Sequence, residues 1–424
     1  MAGRVAAQVA IIGAGYAGMT AAVELADAGI VVEVFEASRT LGGRARAVEI
    51  EGVTVDNGAH ILVGAYRETL RLMRKVGVPE AALQRHPLHL EYPGEFRLRA
   101  PGIPVPAPLH LAWALLAARG LSWPEKLAAI RFMHRLEKRC FRLDVDMTVA
   151  DLLAAHRQPA RVSRHLWEPL CVAALNTPIE EASAQVFLNV LRDSLAADRA
   201  ASDLLLPATD FSSLFSEPAA RFIEARGGRV HRGARIAAIL RQDDAWMLDG
   251  HGPYERIIIG VAPQHLNKLI AGLPELAPIA AQVARFAWQP IATRYLAYPE
   301  TVRLPFAMVG TSEGWLFDRG RTHGRRGLIS AVISASWEDT PASAIHREIA
   351  RIVPNPPLPR WTRMICEKRA TFACTPGLQR PTTATALPGL WLAGDYVAGD
   401  YPATIEGAVR SGVAAARALI AERN

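Results

Sequence analysis

Cysteine is scarce in this chain, and lysine is nearly as scarce. The 424 residues hold four cysteines, Cys140, Cys171, Cys366 and Cys374. None stands in C-x-x-C spacing or completes a metal-ligand pattern, so a disulfide framework and a zinc site are not expected, and a reduced, cytoplasmic setting is. No stretch of about eighteen uncharged apolar residues occurs, so no transmembrane helix is expected. The apolar N-terminus does not read as a signal peptide, because its glycines belong to another pattern and no small-residue cleavage site follows a separate apolar core. Internal repeats and low-complexity tracts are absent as well. The net charge of +7 is carried almost wholly by arginine, with only five lysines. Two origins fit that charge: genome composition, or attraction to anionic headgroups at the inner face of the cell membrane. Nucleic acid is excluded as a partner, since no binding motif accompanies the charge.

What the chain does have is ample apolar content, half of its residues, and a length that suits two domains. It also has two segments almost four hundred residues apart that make sense together, Val9 to Arg46 and Leu390 to Gly412. The first opens with an apolar run, Val9 to Ile12, suited to a buried parallel strand. Gly13, Gly15 and Gly18 follow in G-x-G-x-x-G spacing. Gly13 permits a tight turn, Gly15 lets a pyrophosphate approach the backbone, and Gly18 lets the next helix pack on the strand. That helix, Ala17 to Ala28, aims its free N–H groups at the pyrophosphate. A second strand, Ile30 to Phe35, ends at Glu36, about twenty residues along, where an acid binds a ribose hydroxyl. Without a ligand the same glycines would make a bare strand-to-helix turn.

Leu41-Gly42-Gly43-Arg44 resembles the GGR motif of the flavin-containing amine oxidase and carotenoid desaturase superfamily. The resemblance implies FAD, with Gly43 and Arg44 along its pyrophosphate, a task to which the planar Arg fork is suited. Gly394-Asp395 matches the superfamily's AGD motif, which implies that Asp395 contacts the pyrophosphate and ribityl chain. Thr404 to Ala418 reads as a helix, and the resemblance puts the isoalloxazine ring against its first turn, at Thr404, Ile405 and Ala408. Ile236, in a strand expected over Val230 to Leu240, corresponds to the backbone that meets the adenine. No Cys lies in the C-terminal motif, so the FAD is expected to be non-covalent.

The implied architecture is α/β: a Rossmann-like FAD-binding domain interleaved with an α+β substrate domain, as in the amine oxidases. The expected FAD-binding parts are residues 1–78, 206–264 and 376–424. The substrate parts are 79–205, mostly helical, and 265–375, a sheet with strands at 291–298, 328–333 and 363–370. Val53 to His60 reads as a strand returning to the cofactor, and Gly320 to Gly327 as a basic loop. Leu109 to Leu121 is unusually apolar, with Trp113 and Trp123 near its ends. It is either a buried helix or a lid that dips into a membrane surface and admits a lipid.

Asp56-Asn57-Gly58-Ala59-His60, Gly64 to Thr69, Leu166-Trp167-Glu168-Pro169-Leu170, Leu175-Asn176-Thr177 and Pro402 to Gly412 narrow the resemblance, to the bacterial hydroxysqualene dehydroxylases of hopanoid synthesis. Two departures stand out: Ala59, where that family carries Gln, and the loop Tyr396 to Tyr401. Amine oxidases resemble the chain less. Thr404 stands where they place an aromatic cage residue, and Thr293 where they often place a lysine. The implied reaction is reductive removal of an allylic hydroxyl from a C30 isoprenoid, with a separate reductant for the flavin that no motif identifies. His60 and Glu168 are the candidate proton donors, His60 because imidazole titrates near neutral pH and Glu168 because a buried carboxylic acid can stay protonated. Each could instead be structural, and Asp400 and Tyr401 are weaker candidates. A carotenoid-type desaturase, moving hydride the other way, and a non-catalytic lipid escort on the same fold are the alternatives.

Overall fold

Val9–Ile12 is buried on both faces and takes the centre of a five-stranded parallel sheet. In a computed structural model describing residues 8–422, apart from 59, 103, 104 and 338, the strand order is Arg229–Arg232, Val32–Glu36, Val9–Ile12, Arg256–Ile259, Leu390–Leu392. The registers Ile12↔Phe35, Ile12↔Ile259 and Ile259↔Leu392 bring the strands' C-terminal ends to one edge, where ligands bind in doubly wound sheets. Val9, Ile11 and Ile258 face the helices Tyr16–Asp27 and Ile405–Ala421. Ala10, Ile12, Ile257 and Ile259 face a three-stranded antiparallel sheet, through Trp246, Leu248 and Tyr254. The two helices touch because Gly412 has no side chain: a Cβ there would lie 2.3 Å from the Ala17 carbonyl oxygen.

The second large sheet is antiparallel, in the order Met308–Thr311, Gly314–Asp318, Leu328–Ser334, Trp288–Ala297, Trp361–Phe372. The helix Ala342–Ile352 covers one face through Ile345 and Ile349. Met308, Phe317 and Val332 on the other face pack with Ile61 and Leu204. The architecture is thus the α/β combination of a Rossmann-like part with an α+β part.

Three local expectations need correction. Val230 to Leu240 is not one strand: Arg229–Arg232 belongs to the parallel sheet, Ile239–Gln242 to the antiparallel one, and the chain crosses between them without regular structure. Val53 to His60 is a strand only to Asp56, whose carboxylate turns away to accept the Phe211 amide at 2.9 Å; Ala59 lies outside the described residues. The stretch Gly320 to Gly327 is a loop only in its second half: it begins in a short helix, Arg319–His323, while Arg321, Arg325 and Arg326 are exposed, and Arg319 just before it is buried, donating to the Ser330 hydroxyl at 3.0 Å.

Helix Leu109–Ala117 satisfies neither reading of its apolar stretch alone. His110, Leu111, Ala114 and Leu115 are buried, while Leu109 and Trp113 are 59% and 56% exposed. No helix among the described residues is long and apolar enough to cross a membrane.

Candidate active site

A cavity of about 630 Å³ opens at the C-terminal edge of the parallel sheet and runs on to the second sheet. Its polar end is built from glycines. Gly13 has φ +103°, and a Cβ there would meet the Gly260 oxygen at 2.7 Å. Gly15 lines the cavity as the N-cap of helix Tyr16–Asp27, leaving its first N–H groups without a side-chain cap. Gly43, at φ +61°, faces it; a Cβ on Gly43 would lie 3.2 Å from the Gly15 Cα. Gly18 does not reach the cavity. A Cβ there would meet the Gly13 oxygen at 2.0 Å, so its work is packing the helix on the turn.

Glu36 lines the same end, its carboxylate accepting the Ala14 and Ser38 amides, each at 2.8 Å. Arg44 and Asp395 do more than the motifs implied. They pair at 2.5 Å across the cavity wall, and Arg44 also donates to the Ala370 carbonyl at 2.6 Å, joining the N-terminal and C-terminal halves of the site to the second sheet. Gly394 donates its amide to the Ser411 hydroxyl. Thr404 caps helix Ile405–Ala421 by accepting the Gly407 amide at 3.1 Å, and Thr404, Ile405 and Ala408 line the cavity. Ile236 lines it from the coil between the two sheets, beside Ala234 and Arg235.

His60 lines the cavity with its ring edge-on to Phe211 at 5.1 Å between centroids. Burial pulls its pKa below the ordinary 6.5; Asp56 opposes this, and Arg44 and Arg319 add to it. Neutral imidazole is therefore its form at neutral pH. Glu168 is not brought to the site. It is exposed in the first turn of helix Glu168–Leu175, and only its neighbours Pro169 and Leu170 line the cavity. Partial burial and the charge of Glu180 raise its pKa where it stands. Asp400 is exposed too, but Tyr401 lines the cavity and donates to Asp193 at 2.7 Å.

Asp193 was not foreseen. It comes from an irregular helical turn, Arg192–Ala196, with no motif around it. Burial pushes its carboxyl up, and Arg192 and Tyr401 more than offset that, leaving it below the usual carboxylate range. Two residues of the family-like motifs are braces. Glu406, fully buried, accepts the Glu68 and Thr69 amides, the Thr69 hydroxyl and Arg410 Nε. Asn176, at φ +47°, donates to Thr371 at 2.9 Å and accepts the Ala335 amide at 2.8 Å. These contacts tie the helical region to the strands beside the site. Beyond the polar end the lining turns apolar, with Leu90, Phe187, Met308, Trp315 and Val332.

The chain matches the family model for flavin-containing amine oxidoreductases over residues 16–420. It is 30% identical to a hydroxysqualene dehydroxylase of Sinorhizobium fredii, over 98% of this chain and 99% of that protein. It is 27% identical to a 15-cis-phytoene desaturase of Synechococcus elongatus, over 98% and 96% respectively. Among solved structures, the cyclohexylamine oxidase of Brevibacterium oxydans superposes with a TM-score of 0.71 at 19% identity, each chain covered to 99%. The cofactor is FAD, and the protein is an FAD-dependent oxidoreductase. The glycine cradle, the uncapped helix start and Glu36 fit a dinucleotide, which leaves no ground for a cofactor-free escort.

Proposed function

The chain belongs to the flavin-containing amine oxidoreductase family, and on that premise we propose that it converts hydroxysqualene to squalene, in squalene and hopanoid synthesis, by reductive dehydroxylation. The observation that carries this reading is the contrast between the two ends of the cavity. One end is made of glycines, Glu36 and the Arg44–Asp395 pair, and the other is hydrocarbon. The strand Trp288–Ala297 carries Thr293 and no lysine, and Thr404 offers no aromatic cage for an ammonium group. An uncharged isoprenoid loses nothing on entering the apolar end, whereas an ammonium would lose its hydration, the Asp193 carboxylate at the wall being already engaged by Arg192 and Tyr401.

Gly13, Gly15, Gly43, Arg44, Asp395, Thr404, Ile405 and Ala408 would hold the FAD, with Glu36 toward the adenosine ribose and Ile236 toward the adenine. Reduced FAD, when bound, supplies the hydride. At the substrate the allylic C–O bond breaks, a C–H bond forms, and the hydroxyl leaves as water, so a proton must reach its oxygen. His60 is assigned the delivery of that proton, a contribution of about 10²- to 10⁴-fold for a well-placed acid. The apolar walls keep water from the positive charge that develops on the allylic carbon. Glu168, outside the cavity, is given no part in the chemistry.

The lipid substrate also suits contact with the inner face of the cell membrane. Leu109, Trp113, Leu116, Trp123 and Leu127 are all at least 40% exposed on neighbouring helices. Trp113→Ser with Trp123→Ser should cut co-sedimentation with anionic vesicles; equal sedimentation would remove this contact. Similarity to a phytoene desaturase favours one other reading, hydride removal from an isoprenoid. Lipid extracted after incubation with hydroxysqualene and a chemical reductant separates the two. Squalene supports dehydroxylation; no squalene, together with oxidation of a polyene in a parallel incubation with oxidised flavin and a quinone acceptor in place of the reductant, supports desaturation.

A further inference from the structure

Against the catalytic cavity lies a second chamber of about 200 Å³, and Leu88, Leu170 and Leu195 line both. Its walls come from Leu98, Leu111, Leu115, Ile130, Met133 and Phe141. Trp167 adds an indole whose N–H is turned to Gln158 Oε1 at 2.9 Å. Among its lining residues only His134 and Glu137 are ionisable, and their side chains are 60% and 51% exposed, which puts the polar rim at the outside. Ordered water needs two to four polar partners, and these walls supply almost none. Apolar walls left facing water are unfavourable, and a hydrocarbon that covers them is favoured. One helix separates the chamber from the surface: Leu111 and Leu115 face inward, and Leu109, Trp113 and Leu116 face outward.

We propose that this chamber holds the distal part of a long isoprenoid chain while the reacting allylic carbon lies in the catalytic cavity, with Leu88, Leu170 and Leu195 as the neck between them. The proposal rests on the isoprenoid reading above and adds the basis of chain-length selection. The catalytic cavity has to take a dinucleotide as well as the reacting end, so a C30 chain needs room beyond it. Each methylene buried past the neck adds about fourfold in binding, the equivalent of the transfer free energy of one CH₂. A short allylic alcohol reaches the chemistry and forgoes that gain.

Ala112→Trp fills the chamber from its wall, and Leu195→Phe narrows the neck. Both are measured with hydroxysqualene and with a C15 allylic alcohol, retention of the flavin band showing that each variant folds. The ratio of kcat/KM for the C30 over the C15 substrate should fall at least tenfold in whichever variant retains flavin. An unchanged ratio in a flavin-retaining variant overturns the proposal. If the wild-type protein turns over neither alcohol, the dehydroxylation reading fails, and the chamber is judged by binding alone. Squalene taken up from vesicles and retained by the protein should then drop tenfold in Ala112→Trp, and equal retention rejects the chamber as a lipid site.

Discussion

Under the proposed reaction His60 serves the proton and Arg44 the cofactor, and each can be tested alone. His60→Ala should leave FAD bound and slow turnover more than tenfold; turnover at the wild-type rate would dismiss His60 as the donor. Because burial holds its pKa under 6.5, the charged imidazole becomes populated only below that value. Turnover by the wild type should therefore rise as pH falls below neutrality, and a profile flat through that range would move the proton to another group. Arg44→Ala removes the partner of a largely buried Asp395 and one wall of the cradle. It should weaken FAD retention at least tenfold, read as the flavin-to-protein ratio after dialysis. Both residues were legible in the sequence, because their motifs are short and local. Their neighbours were less so. The Arg44–Asp395 pair joins positions 351 apart, and nothing in either motif indicates that they meet. Asp193 has no motif at all, and becomes visible only when Arg192 and Tyr401 are seen to hold it at the cavity wall.

Elements show the same division. The long, periodic or Gly-bounded ones were readable: the first βαβ unit, the three longer strands of the second sheet and the C-terminal helix, whereas the short strands Met308–Thr311 and Gly314–Asp318 were not. Those decided by tertiary contacts were not. Arg319 stands next to a basic stretch whose arginines are exposed, yet Ser330 and the nearby Asp56 carboxylate draw it inside. Val230 to Leu240 is apolar enough for one strand, but two different sheets compete for its ends. Glu406 illustrates what a motif conceals. In sequence it looks like one more residue of a flavin helix, while in the fold it joins that helix to Arg67–Lys75. Glu406→Ala leaves buried donors at Thr69 unpaired. At about 1–3 kcal/mol for each unsatisfied group, it should lower the unfolding free energy by about 3 kcal/mol in a denaturant titration. A change below ~0.5 kcal/mol would show that the brace carries no weight.

For the whole molecule, the burial that makes the site also sets its pH limits. His60, His110 and His165 are all held below the ordinary 6.5, chiefly by burial. The unfolded chain therefore takes up protons that the folded chain refuses as pH drops through that value. Stability is fully present above about 6.5 and lost progressively below it. The midpoint of thermal unfolding should accordingly fall between pH 7 and pH 5, and a constant midpoint would contradict this account. The fold places hydrocarbon walls, a dinucleotide cradle and one depressed imidazole around a single cavity, and that arrangement makes one demand above the others. With the flavin reduced in the absence of oxygen, addition of hydroxysqualene should restore the absorbance near 450 nm and release an equal amount of squalene. A bound flavin that stays reduced while hydroxysqualene is recovered intact would contradict the proposed reaction.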